Sequence, residues 1–144
     1  MAEADEVLEG CAAAAQAGAE VLRERFGRPR TIDKKGVIDL VTDADRASEE
    51  AVLAVLRARF PGAAVLAEES GASGAGTGGL RLVVDPLDGT TNYAHGVPHF
   101  AVTVAASDAV GLLAGATADP LRGELFLARR GGGATLAGRP LRHS

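Results

Sequence analysis

The apolar residues of the first sixty positions recur with helical spacing. From Asp5 to Phe26 they follow one another at steps of three and four, which predicts an amphipathic helix that ends at Gly27 and Pro29. The apolar stripe of this helix consists of Leu8, Ala12, Ala15, Ala19, Leu22 and Phe26.

A second helix is predicted from the sequence Thr42-Asp43-Ala44-Asp45 to about Arg59, where Phe60-Pro61-Gly62 ends it. The hydroxyl of Thr42 is expected to cap the helix by accepting from its free N–H groups. The polar stretch before it, Arg30 to Gly36, contains Lys34 and Lys35, the two lysines of the chain, and is predicted to form a short hairpin or flap.

After Pro61 the pattern changes to short apolar runs separated by turn residues, which is typical of strands. Two helices followed by closely spaced strands predict an α+β fold, with two N-terminal helices packed on a largely antiparallel sheet. Phe100–Ala106 and Gly111–Ala118 are apolar on both faces, so we expect a sheet covered on both sides. Gly71–Gly79 is expected to be a loop. The predicted strands are Ala64–Ala67, Leu80–Val84, Phe100–Ala106, Gly111–Ala118, Glu124–Ala128, Thr135–Leu136 and a last one at the turn Gly138–Leu141.

Composition narrows the class of protein. The 144 residues are 47% hydrophobic and fit a single domain, residues 1–144. The net charge of −4 disfavours a nucleic-acid partner. There is no apolar run of membrane-spanning length and no basic leader, so we expect no membrane partner. The single cysteine, Cys11, excludes an internal disulfide, which favours a cytoplasmic location.

Acidic residues follow two of the apolar runs, at Glu68-Glu69 and at Asp85 and Asp88. Carboxylates gathered at about 4 Å repel one another by about 4 kcal/mol per pair at an effective dielectric constant near 20. Such a cluster is stable if it is protonated, pairs with cationic side chains or binds a metal ion, and no lysine or arginine is interleaved with these acids. Oxygen ligands without a histidine and cysteine set favour a hard ion such as Mg²⁺.

The residues after Asp88 supply a complementary anion site. Gly89 permits close backbone approach, and Thr90-Thr91-Asn92 can begin a short helix whose free N–H groups face an anion. Metal ligands beside such a cradle suit a phosphate ester. Thr90 is expected to orient a water molecule through its hydroxyl, with Asp45 as the candidate acceptor of a proton.

Taken alone, most of these features have plainer interpretations. Glu68-Glu69 is typical of a solvated pair, Asp45 of a carboxylate that stabilises a helix dipole, and Lys34-Lys35 of a solvated turn. Cys11 lies on the apolar side of the first helix and is expected to be inert. The string from Asp85 to Tyr93 differs, because a turn alone does not require two aspartates and two threonines after an apolar strand.

Leu82-Val83-Val84-Asp85-Pro86-Leu87-Asp88-Gly89-Thr90-Thr91-Asn92-Tyr93 resembles the signature of the inositol monophosphatase family, Mg²⁺-dependent and typically lithium-sensitive phosphatases. The likeness extends over nearly the whole chain and implies the N-terminal part of a layered αβαβα sugar-phosphatase fold. Further matching segments are Asp39–Asp45, Ala67–Ser70 (with Ala67 in place of a glycine), Pro98–Val102, Asp119-Pro120, Glu124–Phe126 and Gly138–Leu141.

This resemblance implies a role for each matching residue. Glu68, Asp85 and the carbonyl of Leu87 would hold a first Mg²⁺, and Asp85 and Asp88 a second. A third ion would lie near Glu68, and Mn²⁺ is a possible substitute. The nucleophilic water would be positioned by Thr90 and Asp45, with Glu68 assisting. The phosphate would be bound by Asp88, Gly89, Thr90 and Thr91, and Lys34 and Lys35 would belong to a closing flap.

The implied activity is hydrolysis of a small phosphorylated polyol such as inositol-1-phosphate by direct attack of metal-activated water, in a homodimer. Histidinol phosphate, fructose 1,6-bisphosphate and phosphorylated nucleotides are alternative substrates within the family. Family members are about twice as long, so we expect 1–144 to be an N-terminal metal- and phosphate-binding part that lacks a further aspartate ligand. Such a part is expected to bind the second metal ion weakly, to turn over poorly, and to have an apolar sheet face that is left uncovered or used for self-association. A binding fragment without catalysis is the alternative.

Haloacid-dehalogenase-like phosphatases provide a competing interpretation, since they also place aspartates after an apolar strand. Their two aspartates are two residues apart, whereas Asp85 and Asp88 are three apart. This spacing cannot place a nucleophile and a general acid as that mechanism requires, so the chain is not assigned to that class.

Overall fold

The computed structural model describes residues 2–27, 34–68, 70–74, 76 and 79–142. Three helices lie in these ranges: α1 is Ala2–Arg25, α2 is Lys34–Arg59 and α3 is Thr90–Ala94. The N-terminal pair of helices and the short third helix after Gly89 confirm the predicted order of elements.

Eight strands form one mixed sheet that is antiparallel except for one pair. Its order is β2-β1-β3-β4-β5-β6-β7-β8, and β1 pairs with β3 in the parallel sense. The α+β class with a largely antiparallel sheet is therefore confirmed. The strands are β1 Ala64–Ala67, β2 Gly71–Ser73, β3 Arg81–Asp88, β4 Ala101–Ser107, β5 Leu112–Asp119, β6 Glu124–Arg129, β7 Gly133–Leu136 and β8 Arg139–Pro140.

The core lies between one face of this sheet and the two long helices, which also pack against each other. Val102 and Val104 of β4 are fully buried in this core, as are Leu22 of α1 and Val52 of α2. Small residues, mostly alanine, fill the remaining space and let the helices approach the sheet closely. Burial raises the pKa of the Cys11 thiol to about 12, because the thiolate loses its hydration, and this agrees with the predicted inert role.

The second helix begins earlier than predicted. It starts at Lys34, so Thr42 lies inside the helix instead of capping it, and Lys34-Lys35-Gly36 is helical, not a hairpin. In the sequence, positions 37, 41, 44, 48 and 52 are all apolar or small and follow steps of three and four, so the apolar stripe extends upstream of the predicted cap.

Part of the glycine-rich stretch also differs from the prediction. Gly71–Ser73 pairs antiparallel with β1, as strand β2, instead of forming a loop. Gly74, with φ of 83°, turns the chain away next to Ala63, where an added Cβ would overlap the Ala63 carbonyl oxygen. The main-chain pairing of β1 thus compensates for the absence of packing side chains in this stretch.

The opposite face of the sheet is not covered by any element of the described ranges. Thr103 and Ala105 of β4 are half-buried on it, and Leu66 of β1 and Val83 of β3 are 53% and 50% exposed. The expectation of a sheet covered on both sides is therefore wrong for the part of the chain that the structure describes. An uncovered apolar face, which was the other expectation, is present.

Candidate metal and phosphate site

The acidic motif lies on a β-bulge in β3. Asp85 pairs with Thr103 of β4 and Asp88 pairs with Ala101, so three steps along β3 oppose two steps along β4. Pro86, which lacks an N–H group, is located in the bulge, where the ladder is interrupted. The sequence predicted that the strand ends at Val84. It continues to Asp88, because β4 pairs with β3 both before and after the bulge.

Two local hydrogen bonds organise the bulge. The main-chain N–H of Leu87 donates to Oδ1 of Asp85 at 3.3 Å, as in an Asx turn. The hydroxyl of Thr90 donates to the carbonyl oxygen of Leu87, also at 3.3 Å. The Leu87 carbonyl is therefore directed towards the turn at Gly89 and Thr90. It has a second lone pair for another partner.

The turn itself depends on Gly89. Its φ of 95° is a left-handed conformation, and it precedes α3, where the N–H of Tyr93 donates to the Gly89 carbonyl at 2.9 Å. The side-chain amide of Asn92 donates to the carbonyl of His99 at 2.8 Å and holds the turn against the segment before β4. The hydroxyl of Tyr93 donates to the Leu22 carbonyl at 3.1 Å and joins α3 to α1.

The parallel pairing of β1 and β3 brings Glu68 to the same edge as Asp85. Ala67, the last residue of β1, lies opposite Val84, so Glu68, which follows β1 in a turn, and Asp85, which continues β3, come next along two chain segments that run in the same direction. Neighbouring strands are about 4.8 Å apart. Glu68 is exposed and Asp85 is half-buried, whereas Glu69 lies outside the described residues.

Asp45 belongs to α2 and is buried at 6% exposure. Ser48, three residues later on the same side of the helix, donates to the carbonyl of Pro86 at 2.7 Å. Asp45 thus lies about one helical turn from a direct contact with the bulge. The sequence analysis did not identify Ser48, although its spacing from Asp45 was a usable signal.

The remaining predicted residues, Thr91, Lys34 and Lys35, lie on helices and not in the bulge of β3. Thr91 is exposed, and its carbonyl contacts Nδ1 of His95 at 2.8 Å. Lys34 and Lys35 are the first residues of α2, and residues 30–33 of the predicted flap lie outside the described part of the chain. Their role in closing a site stays a prediction.

The donor set fits a hard cation only in part. Asp85, Asp88 and the Leu87 carbonyl offer oxygen atoms within one bulge, and Mg²⁺ typically takes one or two protein carboxylates and keeps several waters. Within the ranges that the structure describes, no three acidic, histidine or cysteine side chains gather as a metal-binding group. The bulge therefore suits a Mg²⁺ ion that retains water or gains ligands from elsewhere.

A cleft of about 570 Å³ opens beside Asp88, Gly89 and Asn92. Arg122 lines it from the turn after β5 and donates to Asp119 at 2.9 Å and to the Pro98 carbonyl at 3.4 Å. Sequence reasoning did not single out Arg122. The available signal was a repeated pattern: residues 119–123 read Asp-Pro-Leu-Arg-Gly, and residues 85–89 read Asp-Pro-Leu-Asp-Gly.

Comparison with known proteins gives the class. Residues 3–144 match the model of the inositol monophosphatase family. The chain belongs to this family, as the Asp85–Tyr93 motif indicated. Within the described residues, no helix is both long and apolar enough to span a membrane.

Individual relatives agree with this assignment. The chain is 47% identical over 116 residues to the Nus factor SuhB of Pseudomonas aeruginosa, covering 79% of this chain and 43% of that protein. It is 40% identical over 123 residues to the inositol monophosphatase of Dictyostelium discoideum, covering 84% of this chain and 45% of that one. The crystal structure of the extragenic suppressor protein suhB from Bartonella henselae superimposes with a TM-score of 0.85 at 35% identity, covering 96% of this chain and 54% of that one. The chain thus spans about half the length of the relatives it matches.

Proposed function

We propose that residues 1–144 are the metal- and phosphate-binding part of a Mg²⁺-dependent phosphomonoesterase of the inositol monophosphatase family. The observation that carries the proposal is the parallel register of β1 and β3, with Ala67 opposite Val84, which supports a shared edge for Glu68 and the Asp85 bulge. A hydrolase that acts on a small phosphorylated polyol combines the same two elements, a hard cation and an anion cradle.

In this proposal Glu68, Asp85, Asp88 and the Leu87 carbonyl hold the cations. Mg²⁺, when bound, neutralises the phosphoryl oxygens and lowers the pKa of a water molecule. Pro86 supports this role, because it has no main-chain N–H of its own to compete for the oxygen atoms of the bulge.

Thr90 orients the attacking water by accepting from it. Because the Thr90 hydroxyl hydrogen is directed to the Leu87 carbonyl at 3.3 Å, the lone pairs of Oγ1 face away and can accept a hydrogen bond. Asp45 accepts the proton that the attacking water loses, and Glu68 assists it. The main-chain N–H groups of Gly89 and Thr90, together with Thr91 and Asp88, hold the phosphate.

The preferred substrate is inositol-1-phosphate, with histidinol phosphate, fructose 1,6-bisphosphate and phosphorylated nucleotides as alternatives of the same reaction. Lithium sensitivity, a homodimer, a cytoplasmic location and two or three bound ions also belong to the proposal. The absence of a nucleic-acid partner stays a prediction from the net charge of −4. The name Nus factor describes the SuhB relatives and is not transferred to this chain.

Calorimetric titration of Mn²⁺ and Mg²⁺ into the 144-residue chain, followed by inorganic phosphate, tests the binding part of the proposal. We expect saturable metal binding that Asp85→Asn abolishes. Asp108→Asn is the matched control, because it removes one carboxylate that pairs with Arg130 outside the bulge. Failure of the unmodified chain to bind either metal at millimolar concentration would overturn the proposal.

Phosphate release from the four substrates tests the catalytic part. We expect weak turnover by the 144-residue chain alone and Mg²⁺-dependent turnover by an enzyme that carries these residues at family length. Binding of metal and phosphate with no turnover in either form would identify the binding fragment without catalysis.

A further inference from the structure

The carbonyl of Pro86 is bonded to a side chain of the helical layer. Oγ of Ser48, on α2, donates to this carbonyl at 2.7 Å, and Ser48 is fully buried. A hydroxyl without water around it requires a protein partner, because leaving it unpaired is costly. The bond therefore forms a specific link between α2 and the bulge, 38 residues apart in sequence.

This link acts on the one free main-chain torsion of Pro86. The pyrrolidine ring restricts φ to near −65°, so the direction of the Pro86 carbonyl is set by ψ alone. The two successive carbonyls of the bulge have different partners: that of Pro86 accepts from Ser48, and that of Leu87 accepts from Thr90. Ser48 thus holds the Pro86 carbonyl towards α2, while the next carbonyl, that of Leu87, is directed to Thr90, whose hydroxyl donates to it at 3.3 Å.

The position of Ser48 is in turn fixed by α1. A Cβ on Gly18 would lie 2.7 Å from Oγ of Ser48 and 2.7 Å from Cγ2 of Val52, so only glycine leaves the space that these side chains fill. Gly18, Ser48 and Pro86 thus form one contact chain from α1 through α2 to β3, with no room for the hydroxyl to move towards α1.

We propose that Ser48 is a positioning residue that orients the Pro86-Leu87 peptide so that the Leu87 carbonyl faces the cation site. The same bond keeps the turn of α2 that carries Asp45 at a constant distance from the bulge. This inference rests on the proposed function for its consequence, metal affinity, whereas the orientation of the peptide can be measured without metal.

Ser48→Ala removes the hydroxyl at nearly constant volume. In the metal-free chain, hydrogen exchange of the Leu87 amide, which donates to Asp85, should become roughly five- to tenfold faster, the change expected when one net hydrogen bond is lost. Exchange at Val104 in the middle of β4 serves as the internal reference. The dissociation constant for Mn²⁺ should rise about 10-fold or more, as for other residues that orient metal ligands.

Tyr93→Phe is the matched control, since it also removes a buried side-chain donor from a main-chain carbonyl, that of Leu22. It should lower thermal stability to a similar degree but leave Leu87 exchange and Mn²⁺ affinity unchanged. Gly18→Ala provides a second route, because it displaces the Ser48 hydroxyl without removing it, and it should reproduce both effects.

These measurements distinguish a failure of the positioning role of Ser48 from a failure of the proposed metal-binding function. Unchanged Leu87 exchange in both Ser48→Ala and Gly18→Ala would overturn the positioning role, as would an equal response in Tyr93→Phe. If exchange at Leu87 responds while the unmodified chain binds no Mn²⁺, the orientation of the peptide is supported and the proposed function fails. Faster exchange with unaltered Mn²⁺ affinity would overturn the link between Ser48 and the cation site.

Discussion

The carbonyl oxygen of His99 lies 2.9 Å from the position that a Cβ on Gly89 would occupy, and Cα of Phe100 lies 3.2 Å from it. Gly89 also has φ of 95°, so an L side chain there meets both backbone strain and a rigid main-chain neighbour. Gly89→Ala is therefore expected to lower the free energy of unfolding by about 2–3 kcal/mol, measured by urea denaturation.

Gly96→Ala is the control for this substitution. Gly96 has φ of 72°, but no atom lies within 4 Å of its added Cβ, so only the strain of about 1 kcal/mol should remain. Equal losses in the two variants would show that the contact with His99 does not restrict the turn.

Gly18→Ala sets helix propensity against packing. Alanine in the interior of α1 gains about 0.5–1 kcal/mol over glycine, but overfilling a packed core costs about 1–3 kcal/mol. The added Cβ would be 2.7 Å from both Ser48 and Val52, and Val52 is fully buried, so packing should prevail with a net loss of about 1 kcal/mol. Urea denaturation measures it, with Gln16→Ala on the exposed side of α1 as a control within about 0.5 kcal/mol of the unmodified chain. A stabilised Gly18→Ala chain would contradict the tight contact.

Asp108 should make stability depend on pH in the acid range. Its carboxylate accepts from both Nη atoms of Arg130, at 2.8 and 2.9 Å, and from the N–H groups of Val110 and Gly111. The hydrogen bonds from Arg130, and then those from the main chain, hold the pKa of Asp108 well below its usual range. Because the pKa of Asp108 is lower in the folded than in the unfolded chain, its carboxylate stabilises the fold at pH values above the unfolded pKa of about 3.9. This stabilisation is lost as the pH falls towards the folded-state pKa.

The measurement is the difference in Tm between the unmodified chain and Asp108→Asn across pH. Asparagine keeps an acceptor oxygen for the main-chain N–H groups, but it removes the charge and the second oxygen, which accepts from Arg130. The difference should be constant from about pH 5 to 8 and should shrink below about pH 4. Arg130→Gln removes the same pair from the other side and should follow the same profile. A deficit that persists unchanged at pH 3 would assign the effect to packing.

Thr90→Ala tests the role proposed for the hydroxyl, in an enzyme that carries this segment at family length. If Thr90 orients water, kcat should fall by about 100-fold while KM changes little, and Thr90→Ser should restore most of the rate. A large rise in KM with kcat maintained would instead assign Thr90 to binding of the substrate in its ground state.

Several features were accessible from the sequence because they depend on local chemistry. The apolar stripe of α1 and the alternating runs of β4 to β7 predicted elements within a few residues of their observed bounds. The motif from Asp85 to Tyr93 predicted close backbone approach at Gly89 and a short helix after it, because the conformational freedom of glycine is a local property.

Other features depend on which strands and helices meet. Pairing with β4 decides whether β3 ends at Val84 or continues through a bulge. The start of α2 at Lys34 depends on how far its apolar stripe extends upstream of Thr42. The number of covered sheet faces was mispredicted for the same reason, because an apolar pattern indicates that a face avoids water without indicating what covers it.

The sequence by itself determined the residue types of the candidate site: two carboxylates around a proline, followed by a glycine turn, in a family-specific order. Only the tertiary structure decided which residues from distant parts of the chain lie near this motif. The parallel register of β1 places Glu68, the residue after this strand, at the same end of the sheet as Asp85, and the approach of α2 brings Ser48 to the Pro86 carbonyl. Both are contacts between residues far apart in the chain, and pairing and packing in three dimensions, not residue preference, select such contacts.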